Sequence, residues 1–390
     1  MHFELSEGQA RMVSTLRRFV ETELMPLEEG IECAGELDAA KAREIFEKSR
    51  SQGFYAMNIP EEHGGGGLSA LDTMLAEEQF GHTTDILVRR AFGNVYEPLL
   101  ACTEEQRQRW LLPAVRGERT CSIALTEPAA GSDAASIKTR AEKFGGGWIL
   151  KGGKHFISDG LFSDFFIVSA VTDPAARPHH VSLFLVDKDL AGVTIGRNQE
   201  MMGLRGTSHV ELFFEGVKLG RQHLLGSEGE GLALVYSTLG RVRLAQVGAR
   251  AIGKACRLMT LMTQYARERR QFGKAIGEFQ MIQQMIADSA IEINAARLLL
   301  HRAAWEIDQH REAGDWISMV KVSAAETLGR VADRAVQVFG GMGYSRALSV
   351  ERLYRDARIF RVLDGTSEIH RCVVAKSAIG QGAEMWDIGA

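Results

Sequence analysis

Apolar spacing divides the chain into three textures. Near the start, Met12, Leu16, Phe19 and Val20 recur at helical intervals behind Ser6-Glu7-Gly8-Gln9, whose S-x-x-Q spacing is that of a capping box. Helix-like stretches follow from about Lys41 to Gly53 and from Leu68 to Phe80, with Pro60-Glu61-Glu62-His63 and four glycines as a loop between them. From about Cys121 to Leu219 short β-rich runs take over: Trp148-Ile149-Leu150, His155-Phe156-Ile157, Phe165 to Val171, Val181 to Val186 and His209 to Phe214. Lys151-Gly152-Gly153-Lys154 reads as the hairpin turn between the first two runs, and the set as a small antiparallel barrel or sandwich. Beyond Gly231 helical periodicity returns, roughly over 232–267, 279–310 and 316–340, with two shorter stretches near the end. All seven prolines lie at or before Pro178, which agrees with a helical C-terminal half. The predicted fold is mostly α with a central β-domain: a helical domain over 1–120, a β-domain over 121–225 and a helical bundle over 226–390.

Composition narrows the function classes. No window approaches eighteen uninterrupted apolar residues, so no membrane span is expected. The opening MHFELSEGQ has neither a basic nor a long apolar region, which predicts a cytoplasmic protein. Five scattered cysteines (33, 102, 121, 256 and 372) lack a C-x-x-C pair, arguing against a disulfide framework or zinc site. The eleven histidines show no metal-ligand spacing, and His179 and His180 after Pro178 read as exposed loop residues. Net charge is -4 and basic residues form no tail or stripe, so nucleic acid is not an expected partner.

Two glycine-bearing segments suggest chemistry. Ala124-Leu125-Thr126-Glu127-Pro128-Ala129-Ala130-Gly131-Ser132-Asp133 reads as a strand end entering a tight turn. Small residues there let backbone N–H groups approach an anion, and Thr126 and Ser132 add hydroxyls; a plain polar loop is the alternative. Gln337-Val338-Phe339-Gly340-Gly341-Met342-Gly343-Tyr344 ends a long helix in glycines that permit left-handed backbone and close approach, though a simple helix stop would explain them too.

Taken in order, these and further motifs resemble the acyl-CoA dehydrogenase family. The first segment matches that family's signature through Ser136. The second matches at Gln337, Gly340, Gly341, Gly343, Tyr344, Arg352 and Asp356 and departs at Ala347. Met202-Gly203-Leu204-Arg205-Gly206-Thr207, Arg267 to Gly273, Phe279-Gln280 and Asp364-Gly365-Thr366-Ser367-Glu368-Ile369 complete the resemblance over nearly the whole chain. It implies an N-terminal helical domain, a central β-barrel domain and a C-terminal four-helix bundle. It also implies FAD shared between subunits of a homo-oligomer, a tetramer or dimer. By that match Ile123, Leu125, Thr126 and Ser132 line the flavin and its pyrophosphate, with Ser132 also at the substrate. The family's tryptophan-isoleucine-threonine run reads Phe156-Ile157-Ser158, keeping an apolar face and a hydroxyl. Arg269, Gln271, Phe272, Phe279, Gln280, Gln337, Gly340 and Gly341 would hold a neighbouring subunit's FAD, and Thr366 and Glu368 would complete the site.

The implied reaction is α,β-dehydrogenation of an acyl-CoA or carrier-bound acyl thioester, with electrons passed to an electron-transferring flavoprotein. Removing an α-proton needs a positioned carboxylate. Where the family commonly has glutamate before Gly-Thr-Ser, this chain has Asp364, and the family's other base position, before Arg241, is Gly240. Asp364 also suits a helix cap near Thr366, and Asp85 is the next carboxylate in line for the base. Aspartate reaches roughly 1.5 Å less far than glutamate. Either the backbone there approaches the substrate more closely, or the substrate differs from a plain straight-chain acyl-CoA; Leu363, where several straight-chain enzymes of the family have tyrosine, points to the second through a reshaped pocket. Arg241 is expected to orient the thioester or the base; Arg243, Arg371 and Lys376 are candidates for CoA phosphates. Two other readings stand beside this one: a nitroalkane oxidase-like flavoenzyme with an aspartate base, and a non-catalytic FAD-loaded or nucleic-acid-protective relative. The acidic stretch Ala383-Glu384-Met385-Trp386-Asp387 counts against the last.

Overall fold

The capping box at Ser6 is formed: Gln9 N–H donates to Ser6 Oγ (3.2 Å) and Ser6 N–H to Gln9 Oε1 (3.0 Å), opening the helix Glu7–Phe19. A computed structural model describes residues 4–176 and 180–385; the Pro178-His179 turn and the Trp386-Asp387 end lie outside them. Leu16, Phe19 and Val20 from that helix and its continuation pack on Phe80, Ile86 and Leu87 of the helices Ala70–Phe80 and Asp85–Ala91.

Eight strands form one sheet: β1 Cys121–Ala124, β2 Arg140–Phe144, β3 Gly147–Ser158, β4 Phe165–Asp173, β5 His180–Asp187, β6 Val193–Asn198, β7 His209–Leu219 and β8 Leu224–Leu225. Their order is β6-β7-β3-β2-β4-β5-β8, with β1 beside β4. The pairings are antiparallel except β1·β4 and β2·β4, which are parallel. Strand β4 explains its own uninterrupted apolar run. Phe165 and Ile167 face Leu99, Trp110 and Leu111 of the N-terminal helices, while Phe166 and Val168 face Leu150, Phe184 and Leu212 inside the sheet.

The Lys151–Lys154 hairpin expectation is corrected. Strand β3 is continuous from Gly147 to Ser158, and the turn before it is Gly145-Gly146, both at positive φ (57° and 82°) as a two-residue hairpin requires. Gly152 lies in the strand beside a register shift, where a Cβ would meet the Thr139 backbone at 2.6 Å. His180, expected in a loop, is exposed at the start of β5.

The C-terminal part is built on a long helix that begins at Gly231–Val242, passes through a π-helical turn at Arg243–Ala249 and continues as Arg250–Glu268. Helices Gln280–Asp308, Gly314–Phe339 and Ser367–Gln381 complete it, around a core that includes Leu258, Leu300, Leu328 and Val331. The helix Ala70–Phe80 crosses the long helix at two glycines: a Cβ on Gly253 would sit 2.1 Å from Glu78 O, and one on Gly81 2.5 Å from Arg250 O. Buried ion pairs flank the crossing, Arg250–Glu77 (2.6 Å) and Arg257–Glu28 (2.7 Å). All five cysteines are free, and no described helix is long and apolar enough to cross a membrane.

Candidate active site

Asp364 occupies a turn built from left-handed backbone, with φ 52° at Asp364 and 89° at Gly365. A non-glycine residue in that region carries strain, which persists where the surroundings hold it and which clusters at functional sites. Here the hold is visible. The Asp364 carbonyl accepts from Arg243 Nε (3.1 Å) and lies 3.1 Å from His370 Nε2, whose ring reaches Ser318 Oγ through Nδ1 (3.1 Å). Burial pulls His370 down to about 4, so the neutral ring donates from Nε2 to the carbonyl and accepts at Nδ1 from the serine hydroxyl.

Two groups, Arg243 and His370, pin the backbone, and neither holds the carboxylate. Among the described residues the Asp364 carboxylate makes no hydrogen bond or ion pair, and the residue is half-buried. Burial raises its pKa; Arg243 and Lys321 partly offset that. Lys321 is fully buried with Nζ lacking a hydrogen-bond partner, and burial pulls it down to about 8.

The capping alternative for Asp364 is overturned: the N-cap of the helix Ser367–Gln381 is Thr366, whose Oγ1 accepts from Ile369 N–H (3.3 Å). Glu368 is exposed on that helix's first turn. Asp85 is no free base either. It accepts from Arg89 Nε (2.5 Å) and Arg250 Nη1 (3.2 Å), and although burial works against ionisation, these cations hold it well below the usual carboxylate range.

A second group of the expected residues gathers on the sheet. Ile123 within β1, and Leu125 and Thr126 just after it, have partly exposed side chains; Ser132 is exposed in the turn beyond. Phe156 has φ 57° at the bulge between Lys154 and Ile157, which turns a 48% exposed ring outward, stacked on His155 at 3.9 Å. Ile157 turns into the sheet core, and Ser158 O accepts from Ser122 Oγ (2.6 Å). Two exposed apolar side chains, Leu161 and Phe162, lie just beyond Ser158. An open face of apolar edges and hydroxyls fits a flavin better than a closed metal site, and the described residues contain no metal-ligating group.

Glu127, which sequence reasoning did not single out, shapes this face. Its carboxylate accepts from Lys138 N–H (2.7 Å), Thr139 N–H (3.0 Å) and Lys154 Nζ (2.8 Å). Lys154 Nζ also donates to Leu125 O (3.1 Å), tying the loop to β3. Burial pulls Lys154 down to about 8; burial also opposes charge on Glu127, but Lys154 and the amides hold that carboxylate below its ordinary value. The pair is charged at neutral pH.

The third group forms one end of the bundle. Arg269, Gln271 and Phe272 lie on the hairpin after the long helix, with Phe279 and Gln280 opening the next. Gln337, Gly340 and Gly341 sit alongside, because Tyr265 and Phe339 stack at 4.2 Å. Phe272 is 93% and Tyr344 84% exposed. No described hydrogen bond, ion pair or ring contact joins this end to the Phe156 face.

Arg241 does not reach Asp364: it lines a separate hollow with Glu97, and Arg243 meets the turn instead, away from the expected phosphate role. Arg371 pairs with Glu326 (3.2 Å), and Lys376 is exposed. Arg352 and Asp356 are structural ties, to Glu28 (2.6 Å) and to Leu204 N–H (2.6 Å).

Comparison with known proteins shows what the chain as a whole is similar to. Family models described as acyl-CoA dehydrogenase N-terminal, middle and C-terminal domains match residues 6–118, 122–217 and 229–379. The CarC subunit of the caffeyl-CoA reductase–Etf complex of Acetobacterium woodii is 35% identical, over 94% of this chain and 97% of that protein. Butyryl-CoA dehydrogenase from Megasphaera elsdenii superposes with a TM-score of 0.89 at 31% identity, over 97% of this chain and all of that one. The FAD complex of PigA superposes at 0.89 with 27% identity, over 98% of this chain and 100% of that one.

Proposed function

The chain belongs to the acyl-CoA dehydrogenase family of FAD-dependent oxidoreductases, and we propose that it oxidises an acyl-CoA or carrier-bound acyl thioester between Cα and Cβ, with Asp364 as the base. The observation that carries this is the division of labour at the turn. Arg243 and His370 hold the Asp364 backbone, while its carboxylate is left without a partner. Bound FAD supplies the acceptor for the β-hydride. Asp364 takes the α-proton, and its raised pKa brings its basicity closer to that of the weakly acidic carbon. The residues expected at the flavin, from Ile123 to Ser158, present the face on which it rests, with Thr366 closing the turn by its cap. An electron-transferring flavoprotein as acceptor is supported by the CarC relative, a subunit of a reductase–Etf complex.

The test is anaerobic mixing with a panel of acyl-CoA thioesters and nitroalkanes. Bleaching of the flavin by thioesters supports the proposal. Bleaching by nitroalkanes alone would move the chain to the nitroalkane oxidase-like reading.

The base works as its anion, so reduction should fail as pH drops through a raised carboxylate pKa, above the ordinary 3.8 for aspartate. Lys321→Met removes one of the cations holding that pKa down and should move the acid limb to higher pH in stopped-flow reduction. An unmoved limb would separate Lys321 from the base.

A homo-oligomer with a shared cofactor site is supported by the exposed bundle end and by Ile291, Leu298 and Trp305. These are seven residues apart, on one face of the helix Gln280–Asp308, and 68%, 53% and 39% exposed. Arg269→Ala should lower FAD retention and oligomer mass together in size-exclusion with light scattering. A dilute monomer retaining full FAD would refute the shared site.

A further inference from the structure

Ser158 ends β3 at the face proposed to carry the flavin, and the turn that follows it is held from outside the sheet. Asp159 has φ 63°, left-handed backbone that a residue other than glycine adopts at a cost. It is also only 2% exposed, and a carboxylate buried that deeply needs partners. Arg90 meets it with both ends of its guanidinium, Nη1 donating to Oδ2 (2.8 Å) and Nη2 to Oδ1 (2.7 Å). Asn94 Nδ2 adds a third bond to Oδ2 (2.9 Å), and the Arg90 guanidinium lies 4.8 Å over the Phe162 ring. The Asp159 backbone is fixed too: its N–H donates to Ser208 O (2.7 Å), and its carbonyl accepts from Phe162 N–H (3.0 Å) and Ser163 Oγ (3.1 Å).

The helix that supplies Arg90, Asp85–Ala91, grips the base's side of the molecule at its other end. Asp85, its first residue, accepts from Arg250 Nη1 (3.2 Å). Arg250 stands seven residues beyond Arg243 on the long helix, and Arg243 Nε donates to the Asp364 carbonyl. Hydrogen bonds and two helical segments therefore connect the Asp364 turn to the Ser158 turn without a gap. Asp85 and Arg89 also act on the charge of Asp364, which puts this short helix alongside the base.

Dehydrogenation takes a proton from one carbon and a hydride from the next, so the base and the flavin must stand at a set spacing across the substrate. A displacement of about 1 Å can cost about 10²-fold in such a reaction. Asp364 and Ser158 lie on separate parts of the fold, and the bidentate Arg90–Asp159 contact fixes direction as well as charge where those parts meet.

Resting on the thioester reading above, we propose that the helix Asp85–Ala91 is a brace that sets the spacing between Asp364 and the flavin face. Arg90 and Asp159 are its positioning residues, acting through the Ser158 turn and not on the reacting carbons.

The experiment uses the FAD-loaded protein, with FAD in excess, and a thioester that reduces the parent. Arg90→Lys keeps the charge but loses the fork. Its limiting rate of anaerobic flavin reduction should fall by about tenfold or more, while the half-saturating thioester concentration and reduction by dithionite stay parental. Asp159→Asn, which tolerates the left-handed backbone, should be slowed similarly. The double variant should be no slower than the slower single, because both changes break one contact. The visible circular dichroism of the bound flavin should change in each variant. A parental limiting rate in either single variant, whatever its melting temperature, would make the pair a structural tie only and overturn the proposal. Losses that multiply in the double variant would overturn it as well. Should Arg90→Lys not fold, Asp159→Asn decides by the same readings. If no thioester reduces the parent, the dichroism decides: altered bands leave the brace standing while the dehydrogenase reading falls, and unaltered bands overturn the brace.

Discussion

Asp364→Asn is expected to slow flavin reduction by substrate by about 10²-fold or more, the usual contribution of a positioned base, while FAD content and reduction by dithionite stay at parental levels. The geometry makes this a clean substitution. Thr366 caps the following helix, so the amide disturbs no cap, and the bonds that fix the turn end on the Asp364 carbonyl, which asparagine keeps. Asparagine also tolerates the left-handed backbone that φ 52° requires. Asp364→Glu should be impaired as well. Its carboxylate lies roughly 1.5 Å further out, and a displacement of about 1 Å can cost about 10²-fold in a positioned reaction. An Asn variant reduced by substrate at the parental rate would remove Asp364 from the chemistry. Asp85 could not take its place, because two arginines already claim its carboxylate.

The largest expected loss of stability is at Lys154. Lys154→Met leaves the Glu127 carboxylate buried behind the Phe156 face with two backbone amides but no cation. Removing one partner of a buried ion pair typically costs about 3–5 kcal/mol. Chemical denaturation should show a lowered midpoint, and FAD should dissociate more readily, because Lys154 also ties Leu125 to the sheet. The double variant Lys154→Met with Glu127→Gln removes the stranded charge and should recover much of that loss. A double variant as unstable as the sum of the singles would mean that the pair is not coupled.

Much of the fold was legible because local rules and burial agreed. The Ser6 box, the helices of the bundle and the two-sided burial of β4 are each written in a few neighbouring residues. The hairpin was misread because two glycine pairs, 145–146 and 152–153, look alike in sequence. Only the crowding of Thr139 against Gly152 distinguishes a bulge from a turn. Asp364 was legible through its motif, but its freedom from capping depends on Thr366, two residues away and equally suited to the cap. Glu127 escaped notice because its partner is 27 residues distant. Lys321 left a signal that could have been used: it shares a helix face with Ala325, Leu328 and Ala332, all fully buried, so its phase alone puts a charge inside. Arg243 could not be anticipated over Arg241, since the choice rests on a local change of helical winding.

That change of winding has a consequence for how the chain tolerates insertion and deletion. A π turn holds one residue more than the α turn it replaces, so Arg243–Ala249 acts as a stored residue within an otherwise regular helix. Deleting one residue there would let the segment relax to α. Each residue of an α-helix accounts for about 100° of rotation and about 1.5 Å of rise. The half that packs against Glu77 and Glu28 could keep its phase while the half carrying Arg241 and Arg243 rotated away from Glu97 and from the Asp364 carbonyl. A single-codon deletion in this segment is therefore predicted to leave a folded protein with a dismantled site, the opposite of what a deletion inside a core helix ordinarily does.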